Sequence, residues 1–324
     1  MNIEVITLNS FARDNGGGNP AGVVFDADEL NESQMLEIAA KVGFSETAFI
    51  SKSNKADYRV RFFTPTSEVD LCGHATIGAF YAMFAKNMIN AGKYTQETLA
   101  GVLEIEIKED GLVLMQQNTP IFGEKIDETK TDFELVCKSL GINPEKIGIK
   151  NYVANIGGNE LMGQYMTGPN ILRTMQVVST GLRDLIIPVE DIEALNSIKI
   201  DKELIIKISE KYDITGYHVF SLETSQEENT AQCRNFAPLF GIDEESATGT
   251  SSGALACYLY ENNLKAKIKL NGTINMKFEQ GYFMEKQSLI NASVDINIYH
   301  NKPAITSVRV GGKAMDISKI NIDI

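Results

Sequence analysis

Polar and apolar side chains alternate along residues 3–8, the period of a strand with one buried face. A turn-rich run at 15–22 leads into a second strand at 21–25. Asn31 then stands as a helix N-cap with Gln34 in the capping-box position, and Met35, Ile38, Ala39 and Val42 follow at i, i+3, i+4 and i+7. Gly43 stops that helix. Strands are expected at 47–50 and 58–63, and a helix at 75–84 whose small residues suit a tightly enclosed position. Residues 103–107 and 112–116 flank Asp110-Gly111, a hairpin signal. Residues 123–130 are polar and read as a linker. Beyond them the pattern predicts a helix from Asp201, a strand at 217–222 and a second small-residue helix at 251–260. Strands at 307–310, before Gly311-Gly312, and at 320–324 close the chain. The polar, acidic stretch 221–230 reads as an exposed turn.

Laid over each other, the two halves show one pattern twice. Arg61-Phe62-Phe63-Thr64-Pro65 precedes Cys72-Gly73-His74-Ala75, and Arg234-Asn235-Phe236-Ala237-Pro238 precedes Thr248-Gly249-Thr250-Ser251. Upstream, Leu36, Ile38, Lys41 and Phe44 lie over Ile206, Ile208, Lys211 and Ile214. Related halves imply two similar domains with a cleft between them. The expected bounds are 1–122, completed by the strand at 307–324, and 131–306, with 123–130 as the linker. Where the halves differ, chemistry is expected: Ser45-Glu46-Thr47 in the first faces Thr215-Gly216-Tyr217 in the second.

Composition narrows the partners. The 324 residues, 43% hydrophobic and 23% charged, have room for two globular domains. A net charge of −13 argues against nucleic acid and anionic membrane as partners, yet leaves room for a small anionic substrate met by a local field. The N-terminus lacks the pattern of a secretion signal and no apolar run reaches the length of a spanning helix, so a cytoplasmic location is expected. Cys72, Cys137, Cys233 and Cys257 have neither CxxC nor Cys-His metal spacing, so no metal site or disulfide framework is signalled. Nucleotide-binding glycine motifs are absent.

Two loop-to-helix junctions could receive an anion. At Gly73-His74-Ala75 and Gly249-Thr250-Ser251 the first helical turn offers unpaired N–H groups, and glycine permits close approach. Glu46, enclosed in a cleft, could take a proton from carbon and return it elsewhere, with His74 donating to a substrate oxygen or assisting the transfer. Glu244 and Glu245 lie just before the second junction, so either could contribute from there or belong to a solvated loop. Asp70 reads as a solvated or capping carboxylate, and His218 and His300 as packing or exposed residues. Cys72 raises a rival two-thiol racemisation, but the matching position is Thr248, which is no base, and Cys72 reads better as a small buried residue.

Taken in order, Asn19-Pro20-Ala21-Gly22-Val23-Val24, Phe44-Ser45-Glu46-Thr47-Ala48-Phe49, Arg61-Phe62-Phe63-Thr64-Pro65, Gly73-His74-Ala75 and Ala247-Thr248-Gly249-Thr250 resemble the phenazine-biosynthesis (PhzF-like) family of the diaminopimelate-epimerase-like superfamily. The resemblance runs over nearly the whole chain. It implies an α+β fold of two similar domains, each a mostly antiparallel barrel-like β-sheet wrapped around a central helix, with the active-site cleft between them. It further implies an isomerase without a cofactor, frequently a homodimer, whose best-known member shifts a proton on trans-2,3-dihydro-3-hydroxyanthranilate. By motif, Glu46 matches the catalytic glutamate and His74 the active-site histidine. Glu245 stands where relatives commonly carry aspartate and Thr250 where they carry serine. The expected site is therefore Glu46, His74 and Glu245 for catalysis, with Asn19, Gly73, Ala75, Gly249, Thr250 and Ser251 holding a carboxylate-bearing substrate. The competing readings are an amino-acid racemase or epimerase, and a non-catalytic protein that binds a metabolite or partner.

Overall fold

The computed structural model describes residues 1–13, 16–149, 172–264, 271–300 and 302–324; Asn15, the first residue of the predicted turn, lies outside them. The chain divides into two compact units. Unit 1 comprises Met1–Gln116, Glu285–Leu289 and Gly311–Ile324; unit 2 comprises Gln117–Met284 and Ile290–Val310.

In unit 1, β1 (Asn2–Ser10) pairs antiparallel with the last strand, Ala314–Asp323, and with β2 (Asn19–Val24). Strand β2 runs parallel to β3 (Glu46–Ser51), which is antiparallel to β4 (Tyr58–Phe63). A short β5 (Glu68–Val69) folds back on β4, and β4 runs parallel to β6 (Gly92–Thr98). Hairpins then add β7 (Gly101–Ile107) and β8 (Val113–Gln117), with Gly111 at φ 81° in the predicted Asp-Gly turn. Parallel neighbours need a crossover, and each has a helix. Helix α1 (Glu32–Val42) joins β2 to β3, and α2 (Gly73–Ala85) lies between β4 and β6. The Asn31 side chain accepts from the Gln34 N–H, Gln34 returns the bond at 3.0 Å, and Gly43 ends the helix in the left-handed region. Met35, Ile38 and Ala39 pack with Val5, Val24, Phe49 and Phe63.

Unit 2 repeats this order. Strands β9 (Ile121–Ile126), β10 (Met175–Ser179) and β11 (Arg183–Pro188) are antiparallel neighbours. Next, β11 runs parallel to β12 (Gly216–Ser221), β12 antiparallel to β13 (Ala231–Ala237), β14 (Ile242–Glu245) folds back on β13, and β13 runs parallel to β15 (Gly272–Gln280). After α3 (Thr131–Leu140), α4 (Ile192–Ser197) and α5 (Lys202–Tyr212) form the first crossover and α6 (Gly249–Leu259) lies in the second. Phe133, Val136 and Leu140 of α3 and Ile205 and Ile208 of α5 pack on Val177, Leu185, Ile187 and Val219 of the sheet.

The repeated Arg-x-Phe is architectural. Arg61 donates from Nε and Nη2 to Glu68, both at 2.6 Å, and its guanidinium lies 5.1 Å from the Phe63 ring centroid. Arg234 does the same with Glu244, at 2.9 and 2.7 Å, and lies 5.0 Å from the Phe236 ring. Each fork ties the fold-back strand β5 or β14 to its neighbour with two charge-assisted hydrogen bonds.

Three expectations change. Residues 123–126, expected in a linker, belong to strand β9, where Lys125 and Ile126 pair antiparallel with Gln176 and Met175; an added Cβ on Gly123 would lie 3.1 Å from the Val177 Cβ. The strand expected at 307–310 runs over Lys302–Gly312 and takes in both glycines; an added Cβ on Gly311 would lie 1.8 Å from the Val113 carbonyl oxygen, so only glycine allows this approach. The acidic stretch 221–230 is not wholly exposed. Buried Glu279 accepts from the N–H groups of Ser225 and Gln226 and from Asn229 Nδ2, at 2.8, 3.0 and 2.7 Å, which draws Asn229 and Thr230 inside.

Candidate active site

Glu46 opens β3, opposite Ala21 of β2, and its side chain is 21% exposed. The matching place in unit 2 is Gly216, which opens β12. There an added Cβ would lie 2.0 Å from the Phe236 carbonyl oxygen, so no side chain fits. The carboxylate is thus confined to one copy by backbone packing in the other.

His74, in the first turn of α2, is buried and brings its ring to Glu46: Nε2 lies 3.2 Å from Glu46 Oε2 and 3.3 Å from Ser45 Oγ. Glu46 Oε2 has no hydrogen-bond partner among the described residues. On the ring's other side, Cys72 Sγ lies 3.3 Å from Nδ1. Burial holds the His74 pKa below its usual value, with the Glu46 charge and the Pro20 carbonyl working partly against it. The imidazole is accordingly neutral near pH 7, able to donate from one nitrogen and accept at the other. Ser10 Oγ donates to the His74 carbonyl at 2.7 Å and so fixes the turn that carries the ring.

The start of α2 has no side-chain cap; its first intrahelical bond is Thr76 N–H to the Cys72 carbonyl, which leaves the N–H groups of Gly73, His74 and Ala75 without intrahelical partners. Ala75 places its methyl in the core, so only its N–H is available to a ligand. Asn19 is buried on β2, opposite Ser10. In unit 2, α6 begins the same way: no side-chain cap, and a first bond from Ser252 N–H to Thr248, after Gly249, Thr250 and Ser251. The crossover helices α1 and α5, by contrast, are capped by Asn31 and Asp201.

Glu245 ends β14. Thr248 Oγ1 donates to its Oε2 at 2.9 Å, and Gln280 Nε2 reaches both the Glu245 carbonyl, at 2.7 Å, and Thr248 Oγ1, at 3.0 Å. Its neighbour Glu244 is committed to Arg234, which separates the two glutamates by role. The Ser251 hydroxyl is also committed: it donates to Asp184 at 2.7 Å and accepts from Asn235 Nδ2 at 3.1 Å, so only its N–H can serve a ligand. Asn235 Nδ2 lies 3.2 Å from His218 Nδ1 as well. Burial pushes the Asp184 carboxyl up to about 6, against the pull of the Ser251 hydrogen bond, and pushes His218 down to about 3. Sequence reasoning missed Gln280, Asp184 and Asn235, and nothing local to those residues marks them.

Three possible ligand groups, Glu46, Cys72 and His74, bring one ligand atom each within 4.8 Å of one another. Among the described residues no helix is long and apolar enough to cross a membrane.

Residues 8–319 match the family model described as phenazine biosynthesis-like protein, and the chain belongs to that family. It is 32% identical over 317 residues to an uncharacterized isomerase of Clostridium acetobutylicum, covering 96% of this chain and 95% of that one. It is similar in structure to the Bacillus anthracis phenazine biosynthesis protein of the PhzF family, with a TM-score of 0.79, 28% identity and full coverage of both chains. The fold extends to a hydroxyproline epimerase of Agrobacterium vitis, with a TM-score of 0.54, 11% identity, and 100% and 93% of the two chains covered. This chain is an isomerase of the PhzF-like family.

Proposed function

We propose that the chain is a cofactor-independent isomerase that moves a proton on a small carboxylate-bearing metabolite, with Glu46 as the acid/base. The observation that carries this reading is the pairing of Glu46 with neutral His74 at 3.2 Å, beside an uncapped helix start. The Glu46 carboxylate takes a proton from a substrate carbon, the electron pair of the broken C–H bond delocalises into the substrate, and Glu46 returns the proton to another carbon. No net oxidation occurs. His74 donates to a substrate oxygen while charge develops, and the N–H groups of Gly73, His74 and Ala75 bind the carboxylate. Glu245 assists or positions, and the N–H groups of Gly249, Thr250 and Ser251 bind a second polar group; Asn19 takes part in binding. Near-complete burial of α2 and α6 supports the barrel-like sheets around a central helix that the resemblance implies.

A two-thiol racemase is the weaker reading. Cys72 precedes α2, but the residue before α6 is Thr248, whose hydroxyl is engaged with Glu245.

Proton NMR in D₂O tests the proposal, with dihydro-hydroxyanthranilate and a panel of amino and cyclic carboxylic acids. Wild type should introduce deuterium at a carbon of one compound, and Glu46→Gln should do so at least about 100-fold more slowly. Undiminished exchange by Glu46→Gln would remove Glu46 from the mechanism.

A further inference from the structure

We propose that Asp184 is a positioning residue of this isomerase, one that through the Ser251 hydroxyl fixes the first turn of α6. Its role rests on the function proposed above, which gives the N–H groups of that turn to substrate. Ala21 of β2 pairs with Glu46 of β3, and Asp184 of β11 pairs with Gly216 of β12 in the equivalent parallel pair. The carboxylate therefore stands on the later strand in unit 1 and on the earlier strand in unit 2, with a small residue opposite each time. Three further positions differ in the same sense. Ala48 and Phe62 pair across β3 and β4 where His218 and Asn235 pair across β12 and β13. Ala75 and Ser251 are each the third residue of their helix.

All four residues of each set are buried. Unit 1 fills these places with Ala21, Ala48, Phe62 and Ala75, so the fold itself has no need of polar groups there. Burying a carboxylate, an imidazole, a carboxamide and a hydroxyl costs desolvation that hydrogen bonds must offset. In unit 2 the offset is incomplete. Asp184 forms no salt bridge among the described residues, and His218 Nε2 has no hydrogen-bond partner among them. A polar set that stability does not require, present in one copy only, points to the turn it holds.

Asn235 Nδ2 donates both to Ser251 Oγ, at 3.1 Å, and to His218 Nδ1, at 3.2 Å. His218 therefore carries its proton on Nε2, and burial keeps the ring neutral. Ser251 is left to donate to Asp184 Oδ2, at 2.7 Å. Burial pushes the Asp184 carboxyl up to about 6, so near pH 7 it is ionised and holds that donor with a charge-assisted bond. The Ser251 side chain is thus gripped from β11 and β13 together, and it cannot turn away without orphaning a buried charge. Thr180 Oγ1 adds a bond to the Thr250 carbonyl at 3.1 Å, as Ser10 does for His74 in unit 1. His74 also braces its turn through its ring, against Glu46 and Ser45. Thr250 has no ring, and Ser251 supplies the brace instead.

Amide hydrogen exchange on the full chain tests the hold without any substrate. The Ser252 N–H makes the first bond of α6, to the Thr248 carbonyl, and the Thr76 N–H makes the first bond of α2, to Cys72. Asp184→Ala, which gives unit 2 the residue of unit 1, should speed Ser252 exchange by about tenfold or more and leave Thr76 within about twofold. Asp184→Asn keeps an oxygen for the Ser251 hydroxyl and should bring Ser252 back to within about threefold of wild type. Unaltered Ser252 exchange in Asp184→Ala, or an equal rise at Thr76, would overturn the hold. Should Asp184→Ala fail to fold, Ser251→Ala takes its place with the same two readouts. On the compound identified by the D₂O assay, Asp184→Ala should raise KM by about tenfold with kcat within about threefold, because a binding turn is loosened and the acid/base is not. An unchanged KM beside faster Ser252 exchange would reduce Asp184 to a structural residue and sink the positioning role. Absent exchange by wild type on every compound would count against the proposed function, and Ser252 would still decide the hold.

Discussion

At the residue scale, one carboxylate is present where its structural twin is excluded. Glu46 and Gly216 open equivalent strands, and the Phe236 carbonyl closes the second position to any side chain. Gly216→Ala should therefore destabilise the chain by about 1–3 kcal/mol through forced repacking, read as a lower denaturant midpoint. Adjacent glutamates divide their roles in a comparable way. Glu244→Gln leaves buried Arg234 short of its charge partner and should cost about 3 kcal/mol of stability in chemical denaturation. Glu245→Gln should leave stability within about 0.5 kcal/mol and act on turnover instead. His74 offers a direct electrostatic readout. Its ring-proton NMR signal should titrate below the usual histidine midpoint, and lower still in Glu46→Gln, because the Glu46 charge is what partly supports the imidazolium against burial.

Elements show which helix starts are finished and which are left open. Helices α1 and α5 are closed by Asn31 and Asp201, while α2 and α6 begin with glycine and without a side-chain cap. Asn31→Ala should cost about 1 kcal/mol, checked by thermal unfolding, because it orphans the Gln34 N–H. The small residues of α2 answer to the sheet beneath it. An added Cβ on Gly78 would come within 2.6 Å of Leu8 Cδ1 and 2.9 Å of Ser10 Oγ. Ser10 is also the residue that holds the His74 carbonyl. A bulkier residue at 78 would thus disturb the turn that carries His74 through packing.

On the scale of the whole molecule, one strand order is used twice, and each parallel pair obliges a helical crossover. The second copy carries a buried Asp184–Ser251–Asn235–His218 chain at its inner helix. Its titrations bear on global stability. Asp184 sits near 6 when folded against 3.8 unfolded, so it contributes stability that is present below about pH 4 and lost as pH rises through 6. His218 runs the other way: its contribution is present above 6.5 and lost as pH falls toward 3. Asp184→Asn should remove the first dependence. Between pH 4 and pH 7 its unfolding free energy should lose on the order of 3 kcal/mol less than wild type, measured by denaturant titration at each pH.

The sequence by itself carried what lies within a few residues or repeats along the chain. The capping box at Asn31–Gln34, the Asp110-Gly111 turn, the strand at Tyr58–Phe63 and the doubled Arg-x-Phe pattern are local signals, and they formed as read. Glu46 and His74 were visible as motif residues because each copy of the repeat exposes what the other lacks. Tertiary structure alone decided which side chains meet. Cys72 reads from sequence as a small buried residue, and only the turn into α2 sets its sulfur against the His74 ring. Gln280, 35 residues beyond Glu245, reaches it because β15 runs parallel to β13, to which β14 is paired. Strand β9 was hidden in a polar run because most of its side chains stay at least partly exposed, and its identity comes from pairing with a strand some fifty residues later. Periodicity and capping are properties of neighbouring residues; register and side-chain juxtaposition are fixed only when distant strands pack.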